Sequence, residues 1–173
     1  MEKIKSPKNI PLLSKTLLIS LVLFIALTSS NLKVNQIEIP FGFPEIIVPE
    51  DNPLTEAKIE LGKKLFFEKL LSRDSSISCA SCHNPKYAFT DGLVKAKGIK
   101  DREVTRNTPT LTNIAYNTSF LRDGVNPSLE AQVIVPIHEK NEFDFHILLA
   151  AERLKKKKEY VDLSLAAFGE VPN

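Results

Sequence analysis

The sequence has no tryptophan, and its only methionine is Met1. A thioether is therefore missing as a metal ligand everywhere beyond the initiator. Only two cysteines occur, three positions apart, which excludes a disulfide-rich scaffold and a four-cysteine zinc site. The 173 residues are 43% hydrophobic and 25% charged, too ordinary a mixture for wholesale disorder, collagen or a coiled coil. An excess of positive charge is found only at the N-terminus. Without residues 1–30 the chain carries 19 basic and 20 acidic residues, a net charge of −1. The body is not a basic nucleic-acid binder. There is no internal repeat and no sustained strand alternation, so the expected class is mainly α.

The longest apolar run is Leu17–Leu27, preceded by Lys3, Lys5, Lys8 and Lys15 and followed by Thr28-Ser29-Ser30. A basic segment, a short apolar segment and small residues read as an export signal over residues 1–30. Leu27-Thr28-Ser29 is a poor cleavage site, so an uncleaved membrane anchor is the rival reading; a buried core helix fits the one-sided charge badly. No cysteine follows for lipid attachment. Either way the body is placed outside the cytoplasm, in the periplasm.

Residues 31–54 are rich in Pro and Asn and read as an extended lead-in to a domain over residues 55–173. Thr55 is positioned to cap a helix through Leu71, with Ile59, Gly62, Leu65, Phe66 and Leu70 on one face. Residues 84–106 read as loop, and 109–117 as a short helix. Ser128 is placed to cap a helix that ends before Pro136. Residues 142–158 and 160–168 read as amphipathic helices, the second ending at Gly169.

The decisive motif is Cys79-Ala80-Ser81-Cys82-His83. C-x-x-C-H is the attachment motif of c-type haem. Two thiols at this spacing can each form a thioether with one haem vinyl group, and the next residue then lies under the ring as an axial imidazole. A thioredoxin-like motif would need a βαβ setting. Zinc would need more ligands, and His138 and His146 are eight positions apart. With no internal methionine, a Met/His electron-transfer site is excluded. The sixth iron position is then open, bound by His138 or His146, or held by a weaker donor such as lysine.

Four ordered blocks surround this motif: Leu61–Gly92, Arg106–Asn117, Arg122–Gln132 and Pro136–Phe143, followed by Tyr160–Glu170. Together they resemble the N-terminal haem domain of bacterial di-haem cytochrome c peroxidases and the related methylamine-utilisation enzymes. The resemblance implies a helical cytochrome c-like haem domain with long loops, which reduces hydrogen peroxide to water. Its electrons would come from a small redox protein such as a cytochrome c or a cupredoxin. It implies that Cys79 and Cys82 bind one covalent haem c, that His83 is the proximal iron ligand, and that Glu142 is the catalytic acid–base. Gln132 matches a residue lining the same pocket, and Asn107 a residue that helps to hold calcium between two haem domains. Family members carry a second C-x-x-C-H domain. This sequence holds one such motif, so the expectation is the N-terminal haem domain alone, with no stable calcium site. Dimerisation is open.

Some positions depart from the family's pattern. Leu121-Arg122 stands where an aromatic pair is usual, Val125 replaces an Arg, and residues 84–105 hold no histidine. The absent histidine suits an open iron. The competing readings are a single-haem electron carrier and an inactive peroxidase half. The basic run Lys155–Lys158, able in principle to dock an acidic donor protein, reads as a solvated helix face.

Overall fold

The computed structural model describes residues 37–173. The expected export signal over residues 1–30 lies outside the described residues, as does the start of the expected lead-in. The described residues contain five α-helices: α1 (Glu56–Phe66), α2 (Cys79–Cys82), α3 (Leu129–His138), α4 (Ile147–Lys155) and α5 (Lys158–Phe168). Four single 3₁₀ turns and long loops join them. Among these residues there is no strand, only three isolated bridges. The class is mainly α, as expected. No helix among the described residues is long and apolar enough to cross a membrane.

The caps fall where the sequence places them. The Thr55 hydroxyl accepts the Lys58 N–H at 3.2 Å, and the Ser128 hydroxyl accepts the Ala131 N–H at 3.2 Å. Gly169 ends α5 in the left-handed region at φ 76°, which glycine adopts without a Cβ clash.

Four expectations need correction. First, α1 stops at Phe66 rather than Leu71. Beyond it, one oxygen of Glu68 accepts the Leu70 N–H at 2.8 Å and the other accepts the buried Tyr160 hydroxyl. These two bonds turn the chain into a 3₁₀ turn at Lys69–Leu71. The face of α1 that enters the core also runs through Ala57, Leu61 and Leu65, leaving Gly62 exposed. Second, 109–117 holds only a 3₁₀ turn at Ile114–Tyr116, because Asn113 is left-handed at φ 61°. Third, α3 continues through Pro136 to His138. The chain that follows supplies donors to its last carbonyls: Glu139 N–H to Val135, Phe143 N–H to Pro136, and Phe145 N–H to Ile137. Fourth, residues 142–146 form an irregular turn, with Phe143 buried and Asp144 at φ 48°.

The core is built where α1 packs on α5 and α4 packs on both α5 and the Lys69–Leu71 turn. Leu61, Leu71, Phe143, Leu154 and Tyr160 fill it, with Cys79 against its edge. Arg153 of α4 ties the core to the segment that leads into the haem motif. Its guanidinium donates to the carbonyls of Leu70 (3.2 Å), Ser72 (2.6 Å) and Arg73 (2.7 Å), and lies 3.8 Å from the centre of the Phe145 ring. Ser72 is fully buried, so no water replaces these donors readily. Arg153→Leu in the haem-loaded protein is expected to cost about 2–4 kcal/mol. This would appear as a lowered urea midpoint with an unchanged slope; an unchanged midpoint would refute the role.

Candidate haem site

Cys79 and Cys82 begin and end α2, one helical turn apart. The Ser78 N–H donates to the Ser81 hydroxyl at 3.0 Å, closing the start of the turn. Both thiols are free and half-buried. The Cys82 thiol donates to the Lys97 carbonyl at 3.6 Å. Burial pushes this thiol up to about 11, and the negative charges of Asp91 and Glu142 add to the shift. Glu142, sixty positions along the chain, thus lies within charge range of the attachment motif.

His83 follows immediately, its N–H bonded to the Cys79 carbonyl at 2.8 Å. Its Nδ1 is 3.0 Å from the Phe89 carbonyl. A carbonyl can only accept, so Nδ1 carries the proton and Nε2 keeps its lone pair for iron. The loop that presents Phe89 is held from several sides. Asn84 and Thr90 pair across its base, and Phe89 N–H donates to the Asn84 carbonyl at 2.9 Å. Ala88 and Phe89 are both left-handed, at φ 52° and 61°. The Thr110 hydroxyl donates to the Ala88 carbonyl at 2.5 Å, and buried Thr108 donates to Asp91 at 2.9 Å. Two free thiols one turn apart, followed by an imidazole with Nε2 available, fit a covalently attached haem.

Glu142 sits in the turn between α3 and α4, half-buried. Burial raises its carboxyl above the ordinary carboxylate value, with a smaller contribution from Glu139. Its carbonyl accepts the Ile99 N–H at 3.0 Å. Gly98 lies directly against it: a Cβ there would stand 1.9 Å from the Asn141 carbonyl oxygen and 2.7 Å from the Glu142 Cα. Only glycine permits this approach.

Gln132 lies on α3, the helix whose last carbonyls anchor the Glu142 turn. Its Oε1 accepts from Asn126 at 2.7 Å, leaving its own N–H groups; no hydrogen bond joins it to Glu142. The Asn107 side-chain oxygen accepts from the Arg122 guanidinium. The described residues contain no cluster of three His, Cys, Asp or Glu side chains. His138 and His146 stack, with ring centres 4.9 Å apart. His138 Nε2 accepts the Ile147 N–H at 3.1 Å and His146 Nδ1 the Leu148 N–H at 3.3 Å, so both lone pairs cap α4. In the Lys155–Lys158 run, Lys155 and Lys158 pair with Glu152 and Asp162, as on a solvated helix face.

Sequence reasoning missed Arg73, Arg102 and Asp144. Asp144 accepts from Arg73 at 3.0 Å and from Arg102 at 2.9 Å. The one visible signal is an Asp directly after Glu142-Phe143. In the sequence Gly98 reads only as a loop glycine.

Residues 56–173 match the family model described as di-haem cytochrome c peroxidase. The chain is 46% identical over 130 residues to a methylamine utilization protein MauG of Methylorubrum extorquens, covering 75% of this chain and 37% of that protein. It is 35% identical over 116 residues to a cytochrome c551 peroxidase of Pseudomonas aeruginosa, covering 67% and 34%. Its fold matches the crystal structure of a MauG-like protein associated with microbial copper homeostasis. That match has a TM-score of 0.74 and 27% identity, over 80% of this chain and 42% of the other. The chain thus spans well under half the length of these relatives.

Gly98→Ala is expected to destabilise the haem-loaded protein by roughly 1–3 kcal/mol, because a backbone oxygen cannot move aside as a side chain can. Thermal unfolding checks this; a midpoint equal to that of the unmutated protein would show that the contact is not close.

Proposed function

The chain belongs to the di-haem cytochrome c peroxidase family, and on that premise we propose that it is the peroxide-reactive haem domain of such an enzyme. In this reading Cys79 and Cys82 carry one haem c and His83 binds its iron. The haem supplies a redox-active iron at which peroxide can bind and be reduced. Glu142 does the proton work. Its carboxylate accepts a proton from one peroxide oxygen and delivers it to the other, so that the O–O bond breaks toward water. Two protons and two electrons complete the conversion of one peroxide into two waters. The electrons come from a small redox protein such as a cytochrome c or a cupredoxin. Gln132, with its N–H groups available, orients the peroxide by hydrogen bonding.

The observation that carries this reading is the placement of Glu142. A carboxyl that is half-buried, raised, and within charge range of the attachment cysteine is suited to exchange protons with a bound substrate. The helix-capping roles of His138 and His146 favour an open sixth position over a bis-histidine electron carrier. The basic and apolar segments at residues 1–27 support export to the periplasm, where covalent attachment keeps a haem from being lost.

Glu142→Gln is expected to slow the reaction of the haem-loaded protein with peroxide by on the order of 100-fold or more, leaving the resting spectrum intact. In the unmutated protein the rate falls as pH drops through the raised value of Glu142, because the base becomes protonated. The variant loses that limb. Stopped-flow mixing across pH measures both; an unaltered rate would remove Glu142 from the mechanism.

A further inference from the structure

We propose that Asp144, clamped between Arg73 and Arg102, is the positioning residue that holds Glu142 beside the haem-attachment segment. The proposal rests on the acid–base reading of Glu142.

The turn carrying Glu142 is irregular, and its carbonyls take donors from outside it. Two other segments supply the donors. From before the motif, the Arg73 N–H donates to the Phe143 carbonyl at 3.0 Å, and the Arg73 side chain donates to the Asp144 carbonyl at 2.5 Å and to its carboxylate at 3.0 Å. From after the motif, Arg102 donates to the Lys140 carbonyl at 2.7 Å and to the Asp144 carboxylate at 2.9 Å, while the Ile99 N–H donates to Glu142. Arg73 lies six positions before Cys79, and Arg102 lies in the loop whose Lys97 carbonyl accepts the Cys82 thiol. Asp144 is the one side chain that both flanking segments grip.

Its backbone needs that grip. At φ 48° Asp144 occupies the left-handed region, which a non-glycine residue holds only when its surroundings insist. Neither ion pair is deeply buried: the Arg73 side chain is 57% exposed. Such pairs contribute little to global stability. Their joint effect is local, fixing the turn two residues from Glu142. Gly98 then lets the loop after the motif close directly on Asn141 and Glu142.

The test is a double-mutant cycle in the haem-loaded protein. Asp144→Asn keeps the shape and removes the charge. It is expected to leave the resting spectrum unchanged and to slow the peroxide reaction at least tenfold. The turn then loosens and Glu142 becomes better hydrated, so the pH midpoint of the rate moves down toward the ordinary carboxylate value. Glu139 at the end of α3, the Cys82 sulfur and the two arginines face this region, and only Asp144 is altered. The rate of cyanide binding to the ferric protein, a readout independent of turnover, should show the same downward shift. Asp144→Asn combined with Glu142→Gln should be no slower than Glu142→Gln alone. Arg102→Lys, which keeps the charge but moves the single donor nitrogen that makes both bonds, should give a smaller slowing of the same kind and covers the case in which Asp144→Asn fails to fold.

An unchanged rate and midpoint in Asp144→Asn, or in Arg102→Lys if the first variant does not fold, would overturn the proposal, as would fully additive slowing in the double variant. In either event a slow Glu142→Gln would leave the acid–base reading standing. A Glu142→Gln as fast as the unmutated protein would instead overturn that reading and this proposal with it.

Discussion

The irregular turn between α3 and α4 needs outside hydrogen-bond donors, and the geometry around the haem motif follows from where it finds them. A carbonyl withdrawn from water without a donor is costly, which applies here to buried Phe143 and half-buried Glu142. Arg73, Ile99 and Arg102 supply the donors, and the turn in turn supplies Phe143 and Phe145 N–H groups to the end of α3. On the α4 side Arg153 acts in the same way, gathering the carbonyls of Leu70, Ser72 and Arg73. The segment entering the haem motif is thus fixed both by α4 and by the Glu142 turn.

The same turn shifts two carboxyls in opposite directions. Glu142 is raised by burial, while hydrogen bonds from Arg102 and then Arg73 hold Asp144 below the usual carboxylate range. The residues are two positions apart, so the difference comes from surroundings and not from type. In the proposed reading such a pair divides the labour: one exchanges protons and the other stays charged to hold the turn.

Local chemistry was legible in the sequence. The C-x-x-C-H motif announces its own spacing requirement, and Thr55, Ser128 and Gly169 act within a turn of where they stand. What was not legible depends on contacts distant along the chain. Residues 142–146 have helical periodicity, yet Phe143 is drawn into the core and Asp144 to two arginines, one of them more than seventy positions earlier. Pro136 looks like a helix end because donors from the following turn cannot be read in advance. Gly98 is indistinguishable from any loop glycine until its neighbour, the Asn141 carbonyl, is in view. The bond from Arg122 to the Asn107 oxygen, fifteen positions apart, is likewise invisible in the sequence.

An optical spectrum of the haem-loaded ferric protein, recorded before and after one equivalent of hydrogen peroxide, tests the central claim most directly. The account predicts a high-spin resting spectrum, marking an open sixth position, that changes promptly to a more oxidised form on adding peroxide. A low-spin spectrum in both redox states, indifferent to peroxide, would contradict it and mark the protein as an electron carrier or an inactive haem domain.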